Sequence, residues 1–305
     1  MPDESKNNLF TATARSRKRA RIETIAKWVT CLMALSLVIP VLGILGFIFR
    51  EAWPVLSFDY LWTNPEDGSR AGGIWAPLIG TFYLVLVSLL IVAPVGILAG
   101  IYLNEYAGDN WFTRIVNMAV TSLAGVPSIV HALFGVGAFV LFFNMGESLL
   151  AASCTVAVMT VPVIITATRE ALAAVPMAFR EACWNMGATK WQTIRTIVLP
   201  NSVSGILTGV ILEIARAAGE TAPILFTGAV FWVDVADSGF DKFVPYYLGD
   251  KFMALSMHLH VISTQITDMP REMQFGTAAV VIGLILLVNS VSMVLRVYLR
   301  SQKKW

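Results

Sequence analysis

The chain has 305 residues, of which 56% are hydrophobic and only 14% charged, and its formal net charge is +2. A soluble globular chain is about 45–50% apolar and about 25% charged, so this composition excludes a disordered chain, a coiled coil and an ordinary soluble enzyme domain, and it makes a bilayer the expected solvent. Three scattered cysteines, Cys31, Cys154 and Cys183, form neither a metal-spaced cluster nor a disulfide framework.

In chain order, a basic segment at 1–27 precedes a first apolar stretch at 28–49. That stretch is long for a signal-peptide core and no small-residue cleavage pattern follows it, so it reads as an uncleaved first helix. A connecting segment at 50–74 leads to further uncharged stretches at 79–103, 115–143, 148–168 and 275–295, and an apolar region at about 203–231 carries three charges in its middle. Each is long enough for a spanning helix, which predicts an all-α polytopic membrane protein with six transmembrane helices. Only residues 144–147 separate the third and fourth spans, a tight helical hairpin. Pro40, Pro94, Pro127, Pro162 and Pro223 fall inside spans, where neighbouring helices satisfy the freed carbonyls.

Of the 22 Lys and Arg, sixteen fall on the side of the N-terminus, five (Arg50, Arg70, Lys242, Lys251 and Arg271) on the other, and Arg216 lies within the membrane. The positive-inside rule therefore sets both termini in the cytoplasm. Basic residues at 15–27 stand directly before a span, so they act as a topology signal rather than as a nucleic-acid patch.

The cytoplasmic segment 169–200 is predicted as a helix restarted at Pro176, a break at Gly187 with a backbone other residues resist, and a second short helix ending near Pro200. Thr189 and Gln192 have capping-box spacing for that second helix. Phe179, Trp184, Met186 and Trp191 are bulky apolar groups for a loop in water, and suit either a segment lying on lipid or a docking element for a cytoplasmic partner.

Glu213, Arg216 and Glu220 are spaced by three and four, which predicts one shared helix face. A charge at the bilayer centre costs about 2.5–3.5 kcal/mol on insertion scales, so three together face the bundle interior or an aqueous path. Two readings stand: a transport pathway, in which the Arg216 guanidinium meets oxyanion oxygens through its planar fork, and an ion-pair ladder that only fixes packing. Gly219 and Pro223 are expected to loosen or kink the helix beside Glu220. His131 is the one histidine within a span and reads as a packed residue bonded to a nearby carbonyl; His258 and His260, without a third ligand in view, make a poor metal site. Asn104 and Glu105 end the second span and either cap it or meet a partner. No span contains Asp, and no Gly-x-Ser-x-Gly or Gly-x4-Gly-Lys-Ser/Thr pattern occurs, which argues against an intramembrane protease and against ATP hydrolysis in this chain.

Glu181-Ala182-Cys183-Trp184-Asn185-Met186-Gly187, nine residues, then Ile197-Val198-Leu199-Pro200 resembles the EAA loop of ABC-importer permeases. Glu181, Ala182, Gly187, Ile197, Leu199 and Pro200 fall in the pattern's places, and Cys183 stands where the pattern has Ala. The wider chain, from about Gly72 to Arg296, resembles the permeases of bacterial phosphate importers, the PstA family. The residues that carry this are Gly72-Gly73-Ile74, Ile101-Tyr102-Leu103-Asn104-Glu105-Tyr106-Ala107, Gly125-Val126-Pro127-Ser128-Ile129-Val130, Ala215-Arg216-Ala217-Ala218-Gly219-Glu220-Thr221-Ala222-Pro223 and Phe252-Met253-Ala254-Leu255. His131 stands where that family has Tyr, and the 232–274 loop is longer.

The resemblance implies a type I ABC importer (MetI-like) permease core at 75–297 with a short tail at 298–305, in the cytoplasmic (inner) membrane. It implies translocation of inorganic phosphate by alternating access, with another oxyanion (molybdate, sulfate or phosphonate) as the alternative cargo and an intramembrane enzyme or channel-like signalling subunit as the more distant readings. It implies a non-catalytic chain with no cofactor or metal of its own, coupled through its 169–200 loop to two PstB-like ATPase subunits that bind ATP-Mg. A PstC-like second permease shares the path, and a PstS-like binding protein delivers the phosphate.

Overall fold

The structure, a computed structural model, describes residues 14–236 and 238–301; Lys6, Lys303 and Lys304, which entered the charge asymmetry, lie outside them. The chain divides after Glu51 into two compact units. The first is α1 (Ala14–Ala52), a 39-residue helix that takes in the basic residues before the apolar stretch and carries Pro40 within it.

The second unit opens with α2 (Phe58–Trp62), whose first turn is capped by Ser57, and a small antiparallel hairpin of β1 (Pro65–Glu66) and β2 (Ala71–Gly72). α3 (Trp75–Ile101) runs without a break into a π turn at Tyr102–Tyr106. α4 (Trp111–Ala124) and α5 (Ser128–Gly135) follow, the latter extended by a π turn at Val136–Phe142. α6 (Leu149–Ala173) starts at the Ser148 cap, and α7 (Met177–Asn185) leads to α8 (Lys190–Thr193), a π turn at Ile194–Val198 and α9 (Leu199–Gly219). α10 (Ala222–Leu225), α11 (Leu255–Thr264) and α12 (Arg271–Ser301) complete the chain.

Among the described residues five helices are long and apolar enough to cross a membrane, or six spans if the bent pair of α4 and the α5 run counts as one. The predicted span at 115–143 is broken at its proline: α4 and the α5 run meet at 104°. Pro127 is the cause, since it is fixed at φ −59, ψ 143 and drives the residue before it out of the helical region. The region at 203–231 breaks beside Glu220, where Gly219 and Pro223 were expected to loosen or kink the helix. α9 stops at Gly219, Glu220 is extended at φ −73, ψ 131, and Pro223 sits in the short α10. Pro94 and Pro162, by contrast, stay inside α3 and α6.

α6 is the centre of the second unit. Of its most apolar stretch 67% is buried, against 28% for α3, 33% for the α8–α9 run and 11% for α12. Water cannot drive apolar faces together in lipid, so close backbone approach does that work. Gly96 and Gly100 of α3 are one turn apart, and a Cβ on either would come within 2.7 Å of Ile164 or Thr168 of α6. On its other flank, Gly205 of α9 leaves room for Ala171 and Gly209 for Ala167. Two small-xxx-small faces thus grip one helix. Beyond α10, the loop toward α11 is pinned to the start of α3: Tyr246 Oη donates to the Ala76 carbonyl at 3.1 Å, and the Leu255 N–H donates to Thr81 Oγ1 at 2.8 Å.

Candidate functional site

The 169–200 segment folds as helix, glycine turn, helix. α7 ends in a Schellman arrangement: Gly187 N–H donates to the Trp184 carbonyl at 2.9 Å and Ala188 N–H to the Cys183 carbonyl at 3.0 Å. Gly187 takes φ +83, with nothing within 4 Å of where a Cβ would sit, so backbone conformation and not space calls for glycine there. Thr189 and Gln192 form the reciprocal capping box. The second helix does not end near Pro200, as the sequence suggested; α8, the π turn and α9 continue as one 30-residue run from Lys190 to Gly219. The π turn absorbs the proline, because its wider bonding pattern skips one ladder position and Asn201 Nδ2 donates to the Ile197 carbonyl at 2.8 Å. Of the signature residues, Glu181, Ala182, Gly187 and Pro200 are exposed, whereas Ile197 and Leu199 are half-buried. Met186 is 88% exposed and Trp191 56%, an apolar surface that nothing among the described residues covers.

Within the membrane region, the three charges do not share one face. Arg216 and Glu220 border an open cleft of about 430 Å³ with Leu212, Ala215, Gly219, Ile285 and Asn289. Glu213 instead turns into the core, beside Ser88, Val92, Thr160 and Ile164 of α3 and α6, with Oε1 buried and without a hydrogen-bond partner. A step of three residues rotates a helix by about 300°, so Glu213 and Arg216 diverge by about 60°; the boundary between core and cleft falls in that gap. Arg216 Nε donates to Glu220 Oε1 at 3.3 Å, with the two side chains 51% and 19% exposed. The pair forms although α9 has ended, because the Ser256 hydroxyl donates to the Glu220 carbonyl at 2.8 Å and holds that residue against α11.

His131 is buried with Nδ1 at 3.3 Å from the Pro127 carbonyl oxygen, one turn back. His258 is buried and stacked on Phe231 at 5.8 Å between ring centroids, whereas His260 is exposed, so the two diverge along α11. Among the described residues no group of three His, Cys, Asp or Glu is arranged to hold a metal ion.

Three features lay outside the sequence argument. Asn289 on α12 joins Arg216 in the cleft, and its Oδ1 is buried without a hydrogen-bond partner; a polar amide inside an apolar span was the available signal. Arg180 of α7 donates through Nη2 to Glu105 Oε1 at 2.9 Å and to the Leu172 carbonyl at 2.9 Å. Arg169 Nη1 donates to Asn117 Oδ1 at 2.8 Å, tying the end of α6 to α4. The last two are long-range contacts with no sequence spacing to announce them.

Residues 92–304 match the family described as binding-protein-dependent transport system inner membrane component. The chain is 36% identical over 218 residues to the phosphate transport system permease protein PstA of Mycobacterium leprae (strain TN), covering 70% of each. It is 28% identical over 248 residues to the probable ABC transporter permease protein YqgI of Bacillus subtilis (strain 168), covering 80% of this chain and 84% of that one. Its fold is similar to that of a solved bacterial ABC transporter involved in the import of the acidic polysaccharide alginate, with a TM-score of 0.56 at 15% identity over 94% of this chain and 100% of that one. The chain therefore belongs to the family of binding-protein-dependent transport system inner membrane components, and within it to the PstA-like permeases.

Proposed function

We propose that this chain is the transmembrane permease subunit of an ATP-driven importer of inorganic phosphate, with Arg216 as the group that meets the anion in mid-membrane. The observation that carries the reading is the state of that guanidinium. It is half exposed on a spanning helix and held by one carboxylate at 3.3 Å in an open cleft. A charge there cannot face lipid without large cost, so the cleft is closed by a second permease of related build. An ion pair this exposed is worth about 0–1 kcal/mol, so phosphate draws the fork off Glu220 without falling into a deep trap. Glu213 turns away into the core, so of the three charges only Arg216 and Glu220 border the cleft. The Asn289 amide adds a hydrogen bond from the opposite wall of the cleft.

This chain hydrolyses nothing and holds no cofactor in this reading. Two ATPase subunits bind ATP-Mg on the cytoplasmic side and take the α7–Gly187–α8 element, with its exposed Met186 and Trp191, into a cleft of their own. An extracytoplasmic binding protein delivers the anion at the opposite end, and both termini are cytoplasmic. The test is uptake of radiolabelled phosphate into vesicles containing the assembled importer, with and without its ATPase, and with sulfate and molybdate as competitors. ATP-dependent phosphate uptake unaffected by either competitor supports the reading; uptake of sulfate or molybdate in preference to phosphate overturns the choice of cargo.

A further inference from the structure

We infer that Arg180 and Glu105 form a joint through which the 169–200 loop moves α3, so that the energy of ATP hydrolysis reaches the bundle along a helix remote from the loop in sequence. The inference rests on the loop being the ATPase-docking element. Arg180 lies on α7, and Glu105 on the π turn that continues α3. Their side chains are 13% and 7% exposed, and the pair closes at 2.9 Å.

The joint is tripartite. The same Nη2 that meets Glu105 also donates to the Leu172 carbonyl in the last turn of α6 at 2.9 Å, where the helix end favours a cation. Glu105 Oε1 is held in turn by Asn104 Nδ2 at 2.8 Å. A second grip comes from α8, whose Lys190 Nζ sits 5.4 Å from the centroid of the Tyr106 ring, one residue beyond Glu105. Both loop helices thus hold the same π turn. A movement of the loop by the ATPase is carried to α3 by a largely buried ion pair, whose rupture leaves an uncompensated charge in low dielectric.

α3 is a suitable lever. It approaches α6 closely at Gly96 and Gly100, and its far end holds the loop before α11 through Ala76 and Thr81. One rigid rod therefore links the coupling loop to the far rim of the unit. A structural pair would merely keep the chain folded; a joint sets how much transport each hydrolysis event yields.

The experiment uses the complete importer in proteoliposomes, with Glu105→Arg, Arg180→Glu, the double exchange and the milder Glu105→Gln, each in a background carrying Ala182→Cys. Assembled complex, phosphate uptake, ATP hydrolysis and cross-linking of residue 182 to the ATPase are measured on each. The joint is expected to show as a rise of at least 5-fold in ATP hydrolysed per phosphate transported in the single exchanges and in Glu105→Gln. Cross-linking should persist, and the double exchange, which sets a carboxylate against the Leu172 carbonyl at the end of α6, should leave the ratio raised. An unchanged ratio in Glu105→Gln on assembled complex, with the cross-link intact, overturns the joint while leaving the docking role of the loop standing. Loss of the cross-link in the parent itself overturns the docking role, and the joint with it.

Discussion

Arg216–Glu220 and Arg180–Glu105 are the same chemical pair in two regions of one chain, and their surroundings make them opposites. The first closes at 3.3 Å with the guanidinium half exposed at the edge of a cleft. The second closes at 2.9 Å, largely buried on both sides, with Nη2 shared by a helix-end carbonyl. An exposed pair is worth little and exchanges partners readily; removing one side of a buried pair costs about 3–5 kcal/mol, because the remaining charge is stranded. The lesson is that residue identity does not separate a ligand-facing arginine from a mechanical one. Access to a third partner does.

The sharpest way to break this comparison is Arg216→Gln. If the guanidinium meets the anion with two charge-assisted hydrogen bonds of about 1.5 kcal/mol each, uptake per assembled complex falls about 100-fold, while the amount of complex stays near normal. Arg216→Lys keeps the charge without the fork and retains partial uptake. If Arg216→Gln instead lowers the amount of complex and leaves uptake per complex normal, the two pairs are of one kind. A smaller effect is expected from Gly187→Val. A β-branched side chain in the left-handed region costs about 1–2 kcal/mol, so the glycine turn shifts and uptake drops about 10-fold, with insertion unchanged by protease protection. Asn289→Ala removes one hydrogen bond to the anion of about 1.5 kcal/mol from the cleft, which raises the half-saturating phosphate concentration about 10-fold in uptake assays.

A last expectation concerns a buried group on α11 that belongs to neither pair. Burial pushes His258 from 6.5 down to about 4. The unfolded chain binds this proton below pH 6.5 and the folded chain does not until about 4, so stability is complete above the upper value and declines as pH falls between the two. Thermal unfolding of the solubilised chain should show that slope, and His258→Phe, which keeps the stacking on Phe231, should flatten it.

The sequence exposed what is local. Spans follow from twenty-residue averages, and the Gly187 turn with its Thr189–Gln192 cap follows from a few neighbouring residues whose backbone preferences agree. Charge spacing gave the directions of Glu213 and Arg216 on a helix, but which neighbour stands in each direction depends on how α3, α6 and α12 pack, and so the core position of Glu213 stayed hidden. Whether a proline bends a span depends on what surrounds it: Pro162 is absorbed within α6, whereas Pro127, two residues after a glycine, turns the chain through 104°. Arg180–Glu105 joins residues 75 apart in sequence, and no periodicity reports such a pair.

The π turn at Ile194–Val198 has a consequence for how this chain tolerates change. A π turn holds one residue more than the α turn it interrupts, and one residue is worth about 100° of helical phase. Everything from Leu199 to Gly219 is therefore clocked by that single extra residue. Deleting one residue there, in a segment that touches neither the cleft nor the anion, would swing Arg216 away from the cleft and bring a different side chain to face it. The chemistry of the cleft is thus written partly in the length of a loop-side turn, and a change of length there is a change of site.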